Sequence, residues 1–436
     1  MIRASALYIL LLPVVFAAAG CDDFSAGGLA TLLVAEGTTT ARPGGKLVDG
    51  LVIKARNDDG EAAEPTELTI TLQRGGGEVV TSTVTTDSKG EATIGWRLGN
   101  APVPQVIEVS TPELALEVSL EVIVDPTLAP APFGDVNAYM NTNNIDGSTE
   151  DLAFSPDGTT LALGVPGGLI EMSPDASITN RTLTGDVLDG PLGLAYTDDG
   201  TLWICDAAGS ALHKVSPAGV VTTVLTNDGT DDLKAPNHLA IGPDGAVYFT
   251  DPCLGRVYRF DPATTTVTGQ VQFDLATEGG PNGVAFGADG TLYLLTENTA
   301  LLCGDGIAGL TDPIAGLYST TVDGLGFTPK VTVAAGVGLF GDGLAFDAEG
   351  NLYTIFDTAV GFELDESIVF VLPSGGAELK RFFAVKDQLL ANLLFGGDAF
   401  GTTTLYLTLL SVQPFVPLES RGVVTLDVGI AGAPLR

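Results

Sequence analysis

A phrase of about a dozen residues recurs along the chain and limits what the chain can become. It reads Glu150-Asp-Leu-Ala-Phe-Ser-Pro-Asp-Gly-Thr-Thr-Leu161, then Leu192-Gly-Leu-Ala-Tyr-Thr-Asp-Asp-Gly-Thr-Leu-Trp203, then Asn237-His-Leu-Ala-Ile-Gly-Pro-Asp-Gly-Ala-Val-Tyr248. It returns as Asn282-Gly-Val-Ala-Phe-Gly-Ala-Asp-Gly-Thr-Leu-Tyr293 and Asp342-Gly-Leu-Ala-Phe-Asp-Ala-Glu-Gly-Asn-Leu-Tyr353. A worn copy, Asn392-Leu-Leu-Phe-Gly-Gly-Asp-Ala-Phe-Gly401 followed by Thr404-Leu-Tyr-Leu-Thr408, closes the series. Each copy predicts a short apolar strand, a tight Asp-Gly or Glu-Gly turn, and a second strand bearing an aromatic residue. The turn glycines Gly158, Gly200, Gly245, Gly290 and Gly350 are spaced by 42, 45, 45 and 60 residues. An all-strand unit of this length must stack on copies of itself to bury its faces, which predicts an all-β fold with a six-bladed β-propeller over 134–436.

The second blade parses into four strands, Leu192 to Thr197, Leu202 to Cys205, Ala211 to Ser216 and Val220 to Leu225. The sixth parses into three, Leu393–Phe395, Thr404–Leu409 and Val423–Asp427. Asp135 to Met140 is then the spare strand expected to complete blade 6 and clasp the ring, since closure removes an exposed edge. The first residue of each innermost strand is expected at the mouth of the central channel. Those residues are Glu150, Leu192, Asn237, Asn282, Asp342 and Asn392, and all but one bear a side-chain oxygen. Asx-Gly pairs also form ordinary corners, but Leu192-Gly193 and Asn237-His238 show that the corner needs neither residue type. Converging carboxylates and amides, with no His or Cys cluster in competition, predict a divalent cation with oxygen ligands, Ca2+ fitting best.

Ahead of the propeller, residues 29–124 alternate with period two. Leu68, Ile70 and Leu72 alternate with Thr69, Thr71 and Gln73, and Ala92, Ile94, Trp96 and Leu98 alternate with Thr93, Gly95 and Arg97. This predicts an antiparallel β-sandwich. Its segment Thr86-Asp-Ser-Lys-Gly-Glu-Ala-Thr-Ile-Gly-Trp-Arg-Leu-Gly99 resembles bacterial immunoglobulin-like domains. The resemblance implies an N-terminal immunoglobulin-like β-sandwich acting as spacer or adhesion module. The proline-rich stretch 125–133 is expected to be a semi-rigid linker. At the start, Arg3 and the apolar run Leu7 to Ala19 read as an export signal over 1–20. The ending Ala18-Ala19-Gly20-Cys21 resembles a bacterial lipobox, which implies lipidation at Cys21, a membrane anchor and residence in the cell envelope. With 54 acidic against 19 basic side chains and a formal charge of −35, nucleic acid is excluded as a partner. A monomer is expected.

The phrases at 237, 282, 342 and 392, together with Gly422-Val-Val-Thr-Leu-Asp-Val-Gly-Ile-Ala-Gly432, resemble the senescence-marker-protein/gluconolactonase family, also called regucalcin-like. The resemblance covers about 134 to 435. It implies a divalent cation held by Glu150, Asn237, Asn282 and Asp342. It further implies a lactone or ester substrate whose carbonyl is polarised for attack by water, with Asp342 as the base and Glu150 as second candidate. The chain departs from the family's pattern at Glu150-Asp151, where Glu-Gly-Pro is usual, and at Asn237-His238, where many members have Asn-Asp. The substrate-contacting Arg of the sugar lactonases has no match. A lactone or ester in general is therefore expected rather than a sugar lactone.

His238 adjoins an expected ligand and is read either as a proton carrier or as a residue packed beneath the metal site; His213, on a third strand, is expected to face outward in a structural role. Asp206, Asp251, Glu297 and Asp357 end second strands and are expected around the mouth, where they could contact substrate, as could His238 and Asn392. A long loop over Asn298 to Ile314 could serve as a lid. Among Cys205, Cys253 and Cys303 at most one pair can bridge, and spacing does not choose it. The competing reading is a non-catalytic binding propeller on a surface stalk, since one scaffold hosts both kinds of function.

Overall fold

The computed structural model describes residues 29–35, 50–120, 127–300, 303–304, 314–324, 326–360, 363–411 and 421–434. The expected signal segment with Cys21, and most of the expected lid, lie outside the described residues. Among the described residues no helix is long and apolar enough to cross a membrane. The chain forms two compact units, Met1–Pro126 with Val428–Ile430, and Thr127–Asp427 with Ala431–Arg436.

The first unit is built from antiparallel strands. Thr31–Val34, Leu51–Arg56 and Glu91–Ile94 form one sheet, and Thr83–Thr85, Glu67–Arg74, Gln105–Ser110 and Ala115–Leu120 form another. Leu51, Ile53, Leu68, Ile70, Ile94, Ile107 and Val109 from both sheets share one apolar core with the fully buried Trp96. The alternation seen in the sequence is what supplies this core: residues two apart along a strand face the same way.

The second unit has six blades of a propeller-type fold, antiparallel except that Thr184–Gly185 runs parallel to Val220–Leu225 at the edge of blade 2. Their innermost strands are Leu152–Phe154, Pro191–Tyr196, Leu239–Ile241, Gly280–Phe286, Phe340–Phe346 and Leu389–Phe395. Each packs against the next, and the sixth packs against the first. The blades are separate sheets except that Glu297 pairs with Phe340, which joins blades 4 and 5. The turn glycines Gly158, Gly200, Gly245, Gly290 and Gly350 all take positive φ, between 65° and 81°, a conformation that costs glycine nothing and other residues a Cβ clash.

The clasp differs from expectation. The strand that completes blade 6 is Ala131–Pro132, antiparallel to Gly422–Asp427, with Ala131 opposite Thr425 and Pro132 opposite Val424. It comes from the stretch expected to be linker. Asp135 to Met140 is not a strand: Val136–Thr142 is an α-helix, capped by the Asp135 side chain accepting from the Ala138 N–H. Asp is a strong N-cap, and Val136 and Met140, four apart, fall on one face and are buried with Val423. Arg421 anchors the helix, donating to Asn137 and Asn141 Oδ1 and to the carbonyls of Ile145 and Gly147.

Candidate metal centre

The inner strands reach the channel mouth through a shared irregularity. In blades 2, 4, 5 and 6 the register against the second strand shifts between Pro191 and Leu194, Pro281 and Val284, Gly341 and Leu344, and Leu390 and Leu393. Two residues bulge inward at each shift. Aligning Leu194, Val284, Leu344 and Leu393 with Leu152 and Leu239 places two rings of residues along the channel. The upper ring holds Glu150, Leu192, Asn237, Asn282, Asp342 and Ala391; the lower holds Asp151, Gly193, His238, Gly283, Gly343 and Asn392. Asn392 was expected in the upper ring and stands in the lower one, because the worn sixth copy of the repeat starts one residue late.

Threonines on second strands hold these bulges. Thr250 Oγ1 accepts the His238 N–H at 3.0 Å and donates to the Asn282 carbonyl of the next blade at 2.8 Å. Thr408 does the same between the Asn392 N–H and the Glu150 carbonyl. In the lower ring a glycine is required where strands approach closely: a Cβ at Gly283 would overlap the Asp342 carbonyl.

In the upper ring Asn237 Nδ2 donates to Glu150 Oε1 at 3.3 Å. Glu150 keeps partial exposure at the opening, yet enough protein surrounds its carboxyl for burial to push it up to about 7. Asp342 is buried, and burial followed by the neighbouring charges of Glu150, Glu297, Asp357 and Asp151 drives its carboxyl well above the usual range. Asn282 Oδ1 is buried with no hydrogen-bond partner. A buried amide oxygen left without a donor is costly, and a cation would satisfy it. Asn237 thus bonds Glu150, whose charge reaches Asp342 and Glu297, and Glu297 is bonded in turn by Asn282; carboxylate and amide oxygens are the donor type a hard divalent ion takes. Among the described residues no three His, Cys, Asp or Glu side chains gather closely enough to hold a metal alone, so an ion here would depend on the asparagine amides.

The lower ring is a closed polar layer. Asp151 accepts from the Leu152 and Leu194 N–H groups and from Asn392 Nδ2. His238 Nδ1 accepts the Val284 N–H at 3.0 Å, which puts the ring proton on Nε2, whose acceptor-bearing neighbour is Asp151 Oδ2 at 3.7 Å. Burial keeps His238 neutral, its pKa lowered to about 4, and raises Asp151 to about 8. His238 therefore packs beneath the upper ring. Asp151 was seen in the sequence only as a departure from a family motif.

The four second-strand acids separate into two kinds. Ile204 and Phe249 stand opposite Leu194 and Leu239, as Leu294 and Thr354 stand opposite Val284 and Leu344. Asp206 and Asp251 lie two residues beyond their reference positions, and Glu297 and Asp357 lie three beyond. One residue changes the face of a strand. Asp206 and Asp251 are buried and committed to backbone: Asp206 accepts from Asp189, Gly190 and Gly209, and Asp251 from Lys234, Ala235 and Leu254. They do not stand on the mouth rim as expected. His213 is also buried rather than outward-facing, with Nε2 3.5 Å from Asp206 Oδ2 and Nδ1 3.2 Å from Thr223 Oγ1. Glu297 and Asp357 each keep one buried oxygen without a partner. Burial raises both to about 8, with the Glu150 charge adding to the rise at Glu297 and the bonds from Asn282 and Ser367 opposing it.

Two cavities flank the rings. One, about 490 Å³, runs along the inner strands from Asp151, His238 and Asn392 away from the upper ring, and is otherwise mostly apolar. The other, about 640 Å³, is bounded by Leu192, Ala207, Ala208, Ala235, Leu275 and both Cys253 and Cys303, with Lys234 and Thr299 as its polar side chains. The second touches the upper ring at Leu192. Cys253 and Cys303 form a disulfide and Cys205 is free and buried, a pairing the sequence left open.

Residues 167–411 match the family model described as SMP-30/Gluconolactonase/LRE-like region. Among solved structures, one provisionally assigned as a gluconolactonase is similar at 18% identity and TM-score 0.50, over 71% of this chain and 95% of that one. A luciferin-regenerating enzyme is similar at 13% identity and TM-score 0.50, over 70% and 97%. A gluconolactonase from Xanthomonas campestris is similar at 18% identity and TM-score 0.49, over 71% and 97%. At these identities the likeness is one of fold. No curated protein matches the chain.

Proposed function

The chain belongs to the SMP-30/gluconolactonase/LRE-like family, and on that premise we propose that it is a divalent-cation-dependent hydrolase of lactones or esters, with Ca2+ as the ion. The observation that carries this reading is the unpartnered, buried Asn282 Oδ1 among the carboxylates of the upper ring. Glu150, Asn237, Asn282 and Asp342 would hold the ion. When bound, it would supply Lewis acidity to a substrate carbonyl.

The chain's own groups account for the rest. Glu150 and Asp342 balance the charge of the ion. Asp342, charge-coupled to Glu150 in the upper ring, would take the proton of the attacking water; Glu150 is second for that role. The polar lower ring closes the floor, limiting access by bulk water. Among the described residues that line the cavity beside Leu192, Lys234 and Thr299 are few donors for a polyhydroxylated ring, which favours a lactone or ester with an apolar acyl or alkyl part. The export signal and lipid anchor at Cys21 would place this chemistry in the cell envelope, which membrane fractionation tests.

Calcium titration and hydrolysis of a lactone and aryl-ester panel test the site. Asn282→Ala removes a neutral ligand, so calcium affinity should fall at least several-fold while the fold persists. Asp342→Asn keeps an oxygen but loses charge and base, so turnover should fall far more than binding. Leu192→Ala should leave calcium binding unchanged and raise KM for apolar substrates. Parent-like calcium binding in both ligand variants would refute the site. Tight binding by the parent with no hydrolysis would favour the non-catalytic propeller.

A further inference from the structure

Glu297 is not among the ligands implied by the family resemblance, and its placement sets it apart from the acids of blades 2 and 3. The one-residue offset turns it away from the backbone amides that Asp206 and Asp251 cap. Its backbone is held on both sides, opposite Gly280 within blade 4 and opposite Phe340 of blade 5. The side chain is therefore fixed at the junction of the blades that supply Asn282 and Asp342. It is 7% exposed, and its Oε1 has no partner. Asn282, its hydrogen-bond neighbour, is 2% exposed and likewise has an unpartnered oxygen. Two adjacent buried acceptors without a donor call for a shared cation.

We propose that Glu297 is a fifth ligand of the upper-ring cation, giving the site three carboxylates rather than two. The inference rests on the cation-binding reading of that ring. Three carboxylates leave a site with a bound divalent ion one charge negative. Ligand charge is a principal determinant of calcium affinity in oxygen sites, so the third carboxylate tightens binding and favours Tb3+, a trivalent luminescent probe, still more.

The test is calcium calorimetry and Tb3+ luminescence on the purified chain, with thermal melts in EDTA and in calcium. Glu297→Gln should weaken calcium binding about tenfold or more, a loss expected from removing one charged ligand. In EDTA the same variant should melt no lower than the parent, because Oε1 has no hydrogen-bond partner to lose. Glu297→Asp, which keeps the charge and withdraws it by one methylene, should show an intermediate loss and provides the test if the glutamine variant does not fold. Glu378→Gln, at an exposed glutamate away from the mouth, should match the parent throughout. Parent-like calcium binding in both Glu297 variants, with calcium affinity weakened in Asn282→Ala, would overturn this inference and leave the proposed site standing. A lower melting temperature of Glu297→Gln in EDTA would also overturn it, marking a structural role. A parent that binds no cation would remove both.

Discussion

At the scale of single residues, the same residue type does different work according to the strand face it occupies. Asp206 and Asp251 serve backbone amides, whereas Glu297 and Asp357, one residue further along their strands, keep unpartnered oxygens. Burial alone would raise the Asp206 carboxyl; the His213 contact and the N–H groups of Asp189, Gly190 and Gly209 outweigh it and hold the pKa below the usual range. A carboxylate of this kind contributes stability above its unfolded pKa, and that contribution is lost as pH falls through the folded value. Asp206→Ala should cost about 2–4 kcal/mol, since it leaves several buried donors unmet. Denaturant unfolding at pH 7 measures this, and calcium affinity should not move. If calcium binding fell as much as in Asn282→Ala, the division between the two kinds of acid would fail.

At the scale of elements, the edge of blade 6 rests on two residues of strand and the helix behind them. Ala131–Pro132 supplies the outer pairing, Phe133 packs on Tyr406 with ring centroids 5.1 Å apart, and Arg421 ties the helix down. A chain beginning at Thr127 retains all of this. One beginning at Gly134 exposes the Gly422–Asp427 edge and removes the Phe133 ring. The shorter chain should melt lower and aggregate more readily. Coincident melting curves for the two truncations would show that the clasp contributes nothing.

At the scale of the whole molecule, the mouth concentrates acids that stay protonated in the absence of metal. Glu150 is raised to about 7, Asp151, Glu297 and Asp357 to about 8, and Asp342 higher than usual, burial being the first cause in each. In the unfolded chain such groups titrate near pH 4. Between about pH 4 and about pH 8 the folded state therefore holds more protons than the unfolded one, and stability falls as pH rises through that window. Calcium replaces those protons at the carboxylates, so its stabilising effect should be larger at pH 8 than at pH 5. Thermal melts in EDTA and in calcium at both values check the sign. A metal-free protein that melts higher at pH 8 than at pH 5 would contradict it.

The propeller-type fold is legible in the repeat, because strand, Asp-Gly turn and aromatic strand are local signals repeated at a near-constant interval. Alternation did the same for the strands of the first unit. Upper-ring residues such as Asn237, Asn282 and Asp342 were legible because each repeat phrase carries its own ruler. That ruler failed where the copy had worn: Asn392 lies one position lower than its phrase suggested, and only pairing with Leu407 and Leu409 shows the shift. Ala131–Pro132 and Val136–Thr142 were misplaced because two residues of strand carry no periodicity and a seven-residue helix carries little. The commitment of Asp206 and Asp251, the freedom of Glu297 and the Asp151–His238–Asn392 layer belong to tertiary structure alone. They depend on which side chains and amides meet across blades far apart in sequence, and no local pattern encodes those encounters.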